Sequence, residues 1–205
     1  MTLFSPAPLA LPPATVVIGI DPGIAVFGVA LVRLCGRSVD VISARAIRTN
    51  PACLLRDRIQ LIKSELVAFI GASQPDLVCI EDQTPGQRGA QRQGHRNASA
   101  ENVRRVIGLC EGLFVCPILE PTPAQVNRLI GLGRSRVKLS SEAARKRRKA
   151  AVRAWVSRVL GFEATSKDAA DAVAVAVMGE RIWRSTRAKC ARGETRSTER
   201  IGGVS

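Results

Sequence analysis

The chain has 205 residues, enough for one domain with a sizeable core, and its 46% hydrophobic share with a mean hydropathy of +0.08 is that of a globular chain, not a membrane-spanning or disordered one. Lys and Arg number 31 against 17 Asp and Glu, a net charge of +14 that points to a polyanionic partner, nucleic acid first. Six cysteines without CxxC spacing or a histidine partner argue against a zinc site and for a reducing compartment, so the cytoplasm is the expected location.

The opening stretch MTLFSPAPLALPPAT carries no Lys or Arg, and prolines break its apolar run, so it does not read as a signal peptide. Residues 1–14 are expected to be a flexible arm. TVVIGI from Thr15 is a β-branched run suited to a strand buried on both faces, and Asp21-Pro22-Gly23 ends it in a turn. AVFGVALVR and SVDVISARAI follow at hairpin spacing, with Cys35-Gly36-Arg37 at the second turn. Glycines and Asp21 interrupt the longest apolar stretch, so no membrane span is expected.

After Asn50-Pro51 the period becomes helical on Leu55, Ile59, Ile62, Leu66 and Phe69. A short strand, PDLVCIE, comes next, and a crossover helix before it implies a parallel neighbour, strand one. Residues 83–98 are rich in Gly, Gln and Arg and predict a mobile cationic loop carrying Arg88, Arg92 and Arg96. A second helix is expected from about Ser99 to Phe114, then a fifth strand in VCPILEP and a short helix in TPAQVNRLIGLG. Residues 134–149 hold eight basic residues (Arg134, Arg136, Lys138, Arg145, Lys146, Arg147, Arg148, Lys149) against one acid, and merge into a helix through Val152, Val156 and Val159. The basic run predicts phosphate contacts; a merely solvated helix face is the competing reading. Trp155 falls at core spacing. The expected organisation is an α/β domain over 15–184, a five-stranded mixed sheet (three antiparallel strands plus two parallel) with helices on both faces. Residues 185–205 are expected to be a basic, disordered tail.

Four acids hold special places: Asp21 ending strand one, Glu81 ending strand four, and Asp168 with Asp171 in the late run TSKDAADAVAVAV. Residues three apart share a helix face, so both aspartates face whatever lies opposite. If that face crosses the ends of strands one and four, four carboxylates converge, and like charges at such range push protons back on unless cations compensate. Two divalent ions do so, and oxygen-only ligation favours Mg²⁺ or Mn²⁺ over zinc. Two such ions roughly 3.5–4 Å apart are also what phosphodiester hydrolysis uses.

IGIDPGIAVFGVALV, CIEDQ, VIGLCEG and DAADAVAVAV, in this order from Val17 to Val177, resemble the segments of the RuvC family of Holliday junction resolvases, members of the ribonuclease H-like superfamily. The resemblance implies Asp21, Glu81, Asp168 and Asp171 as metal ligands. It further implies a homodimer that nicks two opposed strands of a four-way DNA junction, leaving 5′-phosphates and 3′-hydroxyls. Lys149 resembles a family lysine near the scissile phosphate, and Asn127 or Arg128 stands near the position of another. The family often places an aromatic shortly after the catalytic Glu; here Gln83-Thr84-Pro85-Gly86 follows, and no aromatic occurs between Phe69 and Phe114. That departure and the extra basic residues are of the sort found in viral or prophage members.

Blander readings compete. Thr165-x-x-Asp168 fits a capping box, Asp21-Pro22-Gly23 is an ordinary turn, and the lone His95 is a surface residue. Asp82 points away from Glu81 across the strand. Alternatives to a junction resolvase are a related nuclease for flapped DNA or structured RNA, or an inactive nucleic-acid-binding module. No helicase partner is legible.

Overall fold

A computed structural model of the chain describes residues 14–83, 98–133 and 141–192. Most of the expected N-terminal arm, the loop with Arg88, Arg92, His95 and Arg96, the basic residues Arg134, Arg136 and Lys138, and the end of the expected tail lie outside them.

Three consecutive strands, β1 (Thr15–Asp21), β2 (Val26–Cys35) and β3 (Ser38–Arg48), form antiparallel hairpins. Helix α1 (Leu55–Ile70) then crosses over to β4 (Leu77–Ile80), which pairs parallel to β1 with Val17 opposite Leu77 and Ile20 opposite Ile80. Helix α2 (Ala98–Glu111) leads to the two-residue strand β5 (Ile118–Leu119), parallel to β4. The sheet order is β3-β2-β1-β4-β5, the mixed arrangement that the hairpins and crossovers require. Asp76 locks the entry to β4: its Oδ2 accepts from Val16 N at 2.8 Å, and its own N donates to Val16 O at 2.8 Å.

Three helices follow: α3 (Pro123–Leu129), α4 (Ser141–Leu160) and α5 (Lys167–Ala191). Alternation along the strands divides the apolar residues between two faces. Ile18, Ile20, Val29 and Val78 pack under Ile62 and Leu66 of α1 and Val106 and Cys110 of α2. Val17, Ala30, Val32, Leu77 and Cys79 pack against α5, with Val126, Val152, Trp155 and Val156 completing that layer. Helices therefore cover both faces, as expected.

Helix α5 is buried without interruption from Ala169 to Val177 because it lies between the sheet and α4, so an all-round Ala and Val surface suits it. Two strand glycines let it settle close. A β-carbon on Gly19 would lie 2.0 Å from the Ala172 carbonyl oxygen, and one on Gly28 would lie 2.3 Å from that of Asp168.

The structure corrects two expectations. Helix α5 runs to Ala191, past the expected boundary at 184, so residues 185–191 are helical and not a disordered tail. Having formed on its buried half, the helix extends at little cost per residue. Its outer part is tied locally by Arg184 to the buried Glu180, by Thr186 Oγ1 donating to Ile182 O at 3.0 Å, and by Arg187 stacked over Trp183. Val159, expected in the α4 core stripe, is 54% exposed, because it lies one turn beyond the contact made by Val152 and Val156.

Candidate metal centre

Asp21 is the last residue of β1, and Glu81 follows directly on β4, its N donating to Ile20 O at 2.9 Å so that the ladder carries both acids to one sheet edge. The start of α5 crosses that edge. Ser166 is its N-cap, extended at φ −148°, accepting from Ala169 N at 3.0 Å. Capping thus falls to Ser166 and not to the Thr165-x-x-Asp168 box, which leaves the Asp168 carboxylate to face the sheet. An acid in that first turn is also favoured by the helix dipole.

Three carboxylates meet there: Asp21, Asp168 and Asp171 each offer an oxygen within 4.8 Å of the others. Asp171 has no exposed surface, and neither of its oxygens has a hydrogen-bond partner of good geometry. The ammonium of Lys149, on α4, sits among the three, hydrogen-bonded to Asp168 Oδ1, 3.3 Å from Asp171 Oδ2 and 3.8 Å from Asp21 Oδ2. Glu81 lies to one side. Its Oε1 accepts from the Arg148 guanidinium and its Oε2 from Gln83 Nε2 at 3.2 Å, while Arg148 Nε also donates to Asn127 Oδ1 at 3.1 Å.

Charge crowding shows in the acids. Burial, and then the fields of Glu81 and Asp171, push the Asp21 carboxyl up to about 7, with Lys149 opposing. Burial likewise raises Glu81 and Asp171, each opposed first by Arg148. Burial works against the charge on Lys149, but Asp168, Asp171 and Asp21 outweigh it and hold its pKa above the ordinary lysine value.

Asp21, Glu81 and Asp168 line a cleft of about 660 Å³ together with Gly23 to Val26, Lys149 and the basic residues Arg145, Lys146, Arg148 and Lys167. The loop after Asp21 is pinned: Thr49 Oγ1 donates to Ile24 O at 2.6 Å, and Arg58 donates to Thr49 Oγ1 at 2.8 Å and Ile24 O at 3.2 Å.

Of the residues singled out in the sequence, Asp21, Glu81, Asp168, Asp171 and Lys149 converge, and Arg145 and Lys146 line the cleft, Lys146 also pairing with Glu142 at 2.9 Å. Arg128 lines a separate cavity with Asn127 and Gly131, and Arg147 is exposed on α4. Arg148, expected only as a phosphate contact, is engaged with Glu81. Lys167, Thr49 and Arg58 were not legible as site residues. Only Lys167, beside Asp168 at the start of α5, carried a signal in its position.

Comparison with known proteins gives the family and the fold. A family model described as crossover junction endodeoxyribonuclease RuvC matches residues 17–92. The crossover junction endodeoxyribonuclease RuvC of Streptomyces griseus is 31% identical over 182 residues, covering 82% of this chain and 76% of its own. The chain belongs to the RuvC family. A second RuvC relative, from Ruminiclostridium cellulolyticum, is 30% identical and covers 79% of this chain and 89% of its own. Among solved structures, T. thermophilus RuvC in complex with a Holliday junction substrate superposes with a TM-score of 0.64 at 21% identity, over 83% of this chain and 96% of that one. The fold is thus that of RuvC and is ribonuclease H-like. Among the described residues no helix is long and apolar enough to cross a membrane.

Proposed function

We propose that this RuvC-family chain is a divalent-metal-dependent endonuclease that resolves four-way DNA junctions by paired, symmetric nicks leaving 5′-phosphates and 3′-hydroxyls. The observation that carries the reading is the meeting of Asp21, Asp168 and Asp171 within 4.8 Å, with both Asp171 oxygens buried and lacking a hydrogen-bond partner of good geometry. Buried carboxylates of one sign need a cation to stay ionised, and a donor set of oxygens alone suits Mg²⁺, with Mn²⁺ able to substitute. Asp21, Asp168 and Asp171 would hold the metal, with Glu81 joining them to accommodate a second ion. A pair of ions held there would supply the chemistry of activating water and neutralising charge at the scissile phosphate.

The chain's own residues supply the rest. Lys149, already among the acids, is placed to contact a phosphate oxygen once divalent cations satisfy the carboxylates. The cleft residues Arg145, Lys146 and Lys167 bind the DNA backbone without reading sequence, as the net charge of +14 favours. Two copies related by a twofold axis would present two such clefts to the two opposed strands of a junction. The relatives' name and the junction held by T. thermophilus RuvC support this substrate.

The test is incubation of the purified protein with labelled four-way junction, flap, linear duplex and structured RNA, in Mg²⁺ or EDTA, beside Asp168→Asn and Glu81→Gln. The expected result is paired nicks in the junction alone, lost in EDTA and in both variants. Equal cutting of all substrates, or preference for RNA, would overturn the junction assignment. Tight binding without cutting would overturn the nuclease assignment in favour of a binding module.

A further inference from the structure

Two neighbouring side chains on α4 neutralise the acid cluster. Lys149 pairs directly with the three aspartates and Arg148 with Glu81, while the Arg148 charge also acts on Asp171 and that of Lys149 on Glu81. The Arg148–Glu81 pair is sheltered, with side chains 17% and 4% exposed, and it is built from three elements: Arg148 on α4, Glu81 after β4 and Asn127 on α3. Asn127 is itself firmly placed, because Thr122 and Gln125 close a capping box at the start of α3 and Leu132 N donates to Asn127 O at 2.8 Å. Glu81 also receives Gln83, so each of its oxygens is occupied, and it is absent from the trio whose oxygens lie within 4.8 Å.

A guanidinium that engages a carboxylate is a competitor for any cation that needs the same oxygen. It is also a phosphate-binding group once released. We propose that Arg148 is a positioning residue with two partners in turn: it holds Glu81 apart from the aspartate trio in the metal-free protein, and when a divalent ion recruits Glu81 it pivots on Asn127 into the cleft to contact a DNA phosphate. Arg148 thereby couples metal binding to DNA binding. The inference rests on the metal-nuclease reading and adds to it the order in which Glu81 and Arg148 change partners.

The sign of the effect on metal affinity separates this role from simple support. An outer residue that merely orients a ligand weakens metal binding when removed, by about tenfold or more. A competitor strengthens it. Isothermal titration of the full-length protein with Mn²⁺, without DNA, should show Arg148→Gln binding several-fold more tightly than the parent, Arg148→Lys lying between, and Asn127→Ala shifting the same way. Binding of an uncut junction is then measured against salt, in EDTA and in Ca²⁺. The slopes for parent and Arg148→Gln should coincide in EDTA and differ by about one phosphate contact in Ca²⁺.

Unchanged or weaker Mn²⁺ binding in Arg148→Gln, with the parent binding normally, would overturn the exchange, as would a slope difference already present in EDTA. Failure of the parent itself to bind Mn²⁺ would overturn the metal reading first and the inference with it. Should Arg148→Gln fold poorly, Arg148→Lys and Asn127→Ala carry the same test.

Discussion

Lys149 Nζ lies 3.3 Å from Oδ2 of Asp171, a carboxylate with no surface exposed to water. The ammonium is the chain's own counterion for three aspartates, and breaking a sheltered pair by removing one partner strands the other's charge at a cost of about 3–5 kcal/mol. Lys149→Met should therefore lower the thermal midpoint in EDTA by roughly 10 °C. Millimolar Mg²⁺ should restore most of it, and differential scanning calorimetry in the two buffers checks both values. A loss of the same size in Mg²⁺ would show that Lys149 is packing and not a counterion.

Asp171→Asn removes a charge and keeps the shape. Burial raises the Asp171 pKa, with Arg148 and Lys149 opposing. The variant leaves Lys149 paired with Asp21 and Asp168, so relief of a charge with no exposed surface should outweigh the loss of one of three ion pairs. The variant should melt higher than the parent in EDTA by about 2–4 °C, the shift produced by about 1 kcal/mol in a domain of this size. Its Mg²⁺-dependent cutting should fall by at least about a hundredfold. Parallel melts and nuclease assays measure the trade.

Asp21 supplies the pH dependence. Its folded pKa of about 7 stands above its unfolded value of 3.8, so the native state holds the proton more tightly. The resulting stability is complete below pH 4 and is lost as pH rises from there through 7. In EDTA the melting temperature should decline between pH 5 and pH 8. The rise produced by Mg²⁺ should be larger at pH 8 than at pH 5.5, because protons compete for the same oxygens. A Mg²⁺ effect independent of pH would remove Asp21 from the ligand set.

Gly28→Ala tests the close approach that sets the site. The new β-carbon would fall 2.3 Å from a backbone oxygen of Asp168, so the start of α5 must shift. A displacement near 1 Å costs about a hundredfold in rate, and overpacking costs about 1–3 kcal/mol. Circular dichroism should report a folded protein with strongly reduced cutting. Near-parental activity would mean that α5 has slack over the sheet.

Much of this was legible in the sequence, because the readable features are local. Continuous apolar strands, a three-residue spacing of acids and a turn after Asp21 each leave a pattern within ten residues. The fold and the acids Asp21, Asp168 and Asp171 followed from them, whereas Lys149, and Glu81 in preference to its neighbour Asp82, rested on the family resemblance. What escaped is set by contacts across the chain. Nothing in the basic run tells that Arg148 meets Glu81, 67 residues away, while Lys149 beside it meets the aspartates. Thr49 and Arg58 look like ordinary loop and helix-surface residues until they close on Ile24. The outer turns of α5 escaped for another reason: beyond Arg184 no apolar face repeats, and local ties in place of a core hold the helix.

Helix α5 brings two of the four acids and the centre of one core layer, and it is the last element in chain order among the described residues. During synthesis the strands, with Asp21 and Glu81, leave the ribosome long before Asp168 and Asp171 do. Until those two aspartates follow, the nascent chain has no assembled cluster. Whatever chemistry the cluster performs begins only when the final helix docks, so completion of the core and arming of the site are one event.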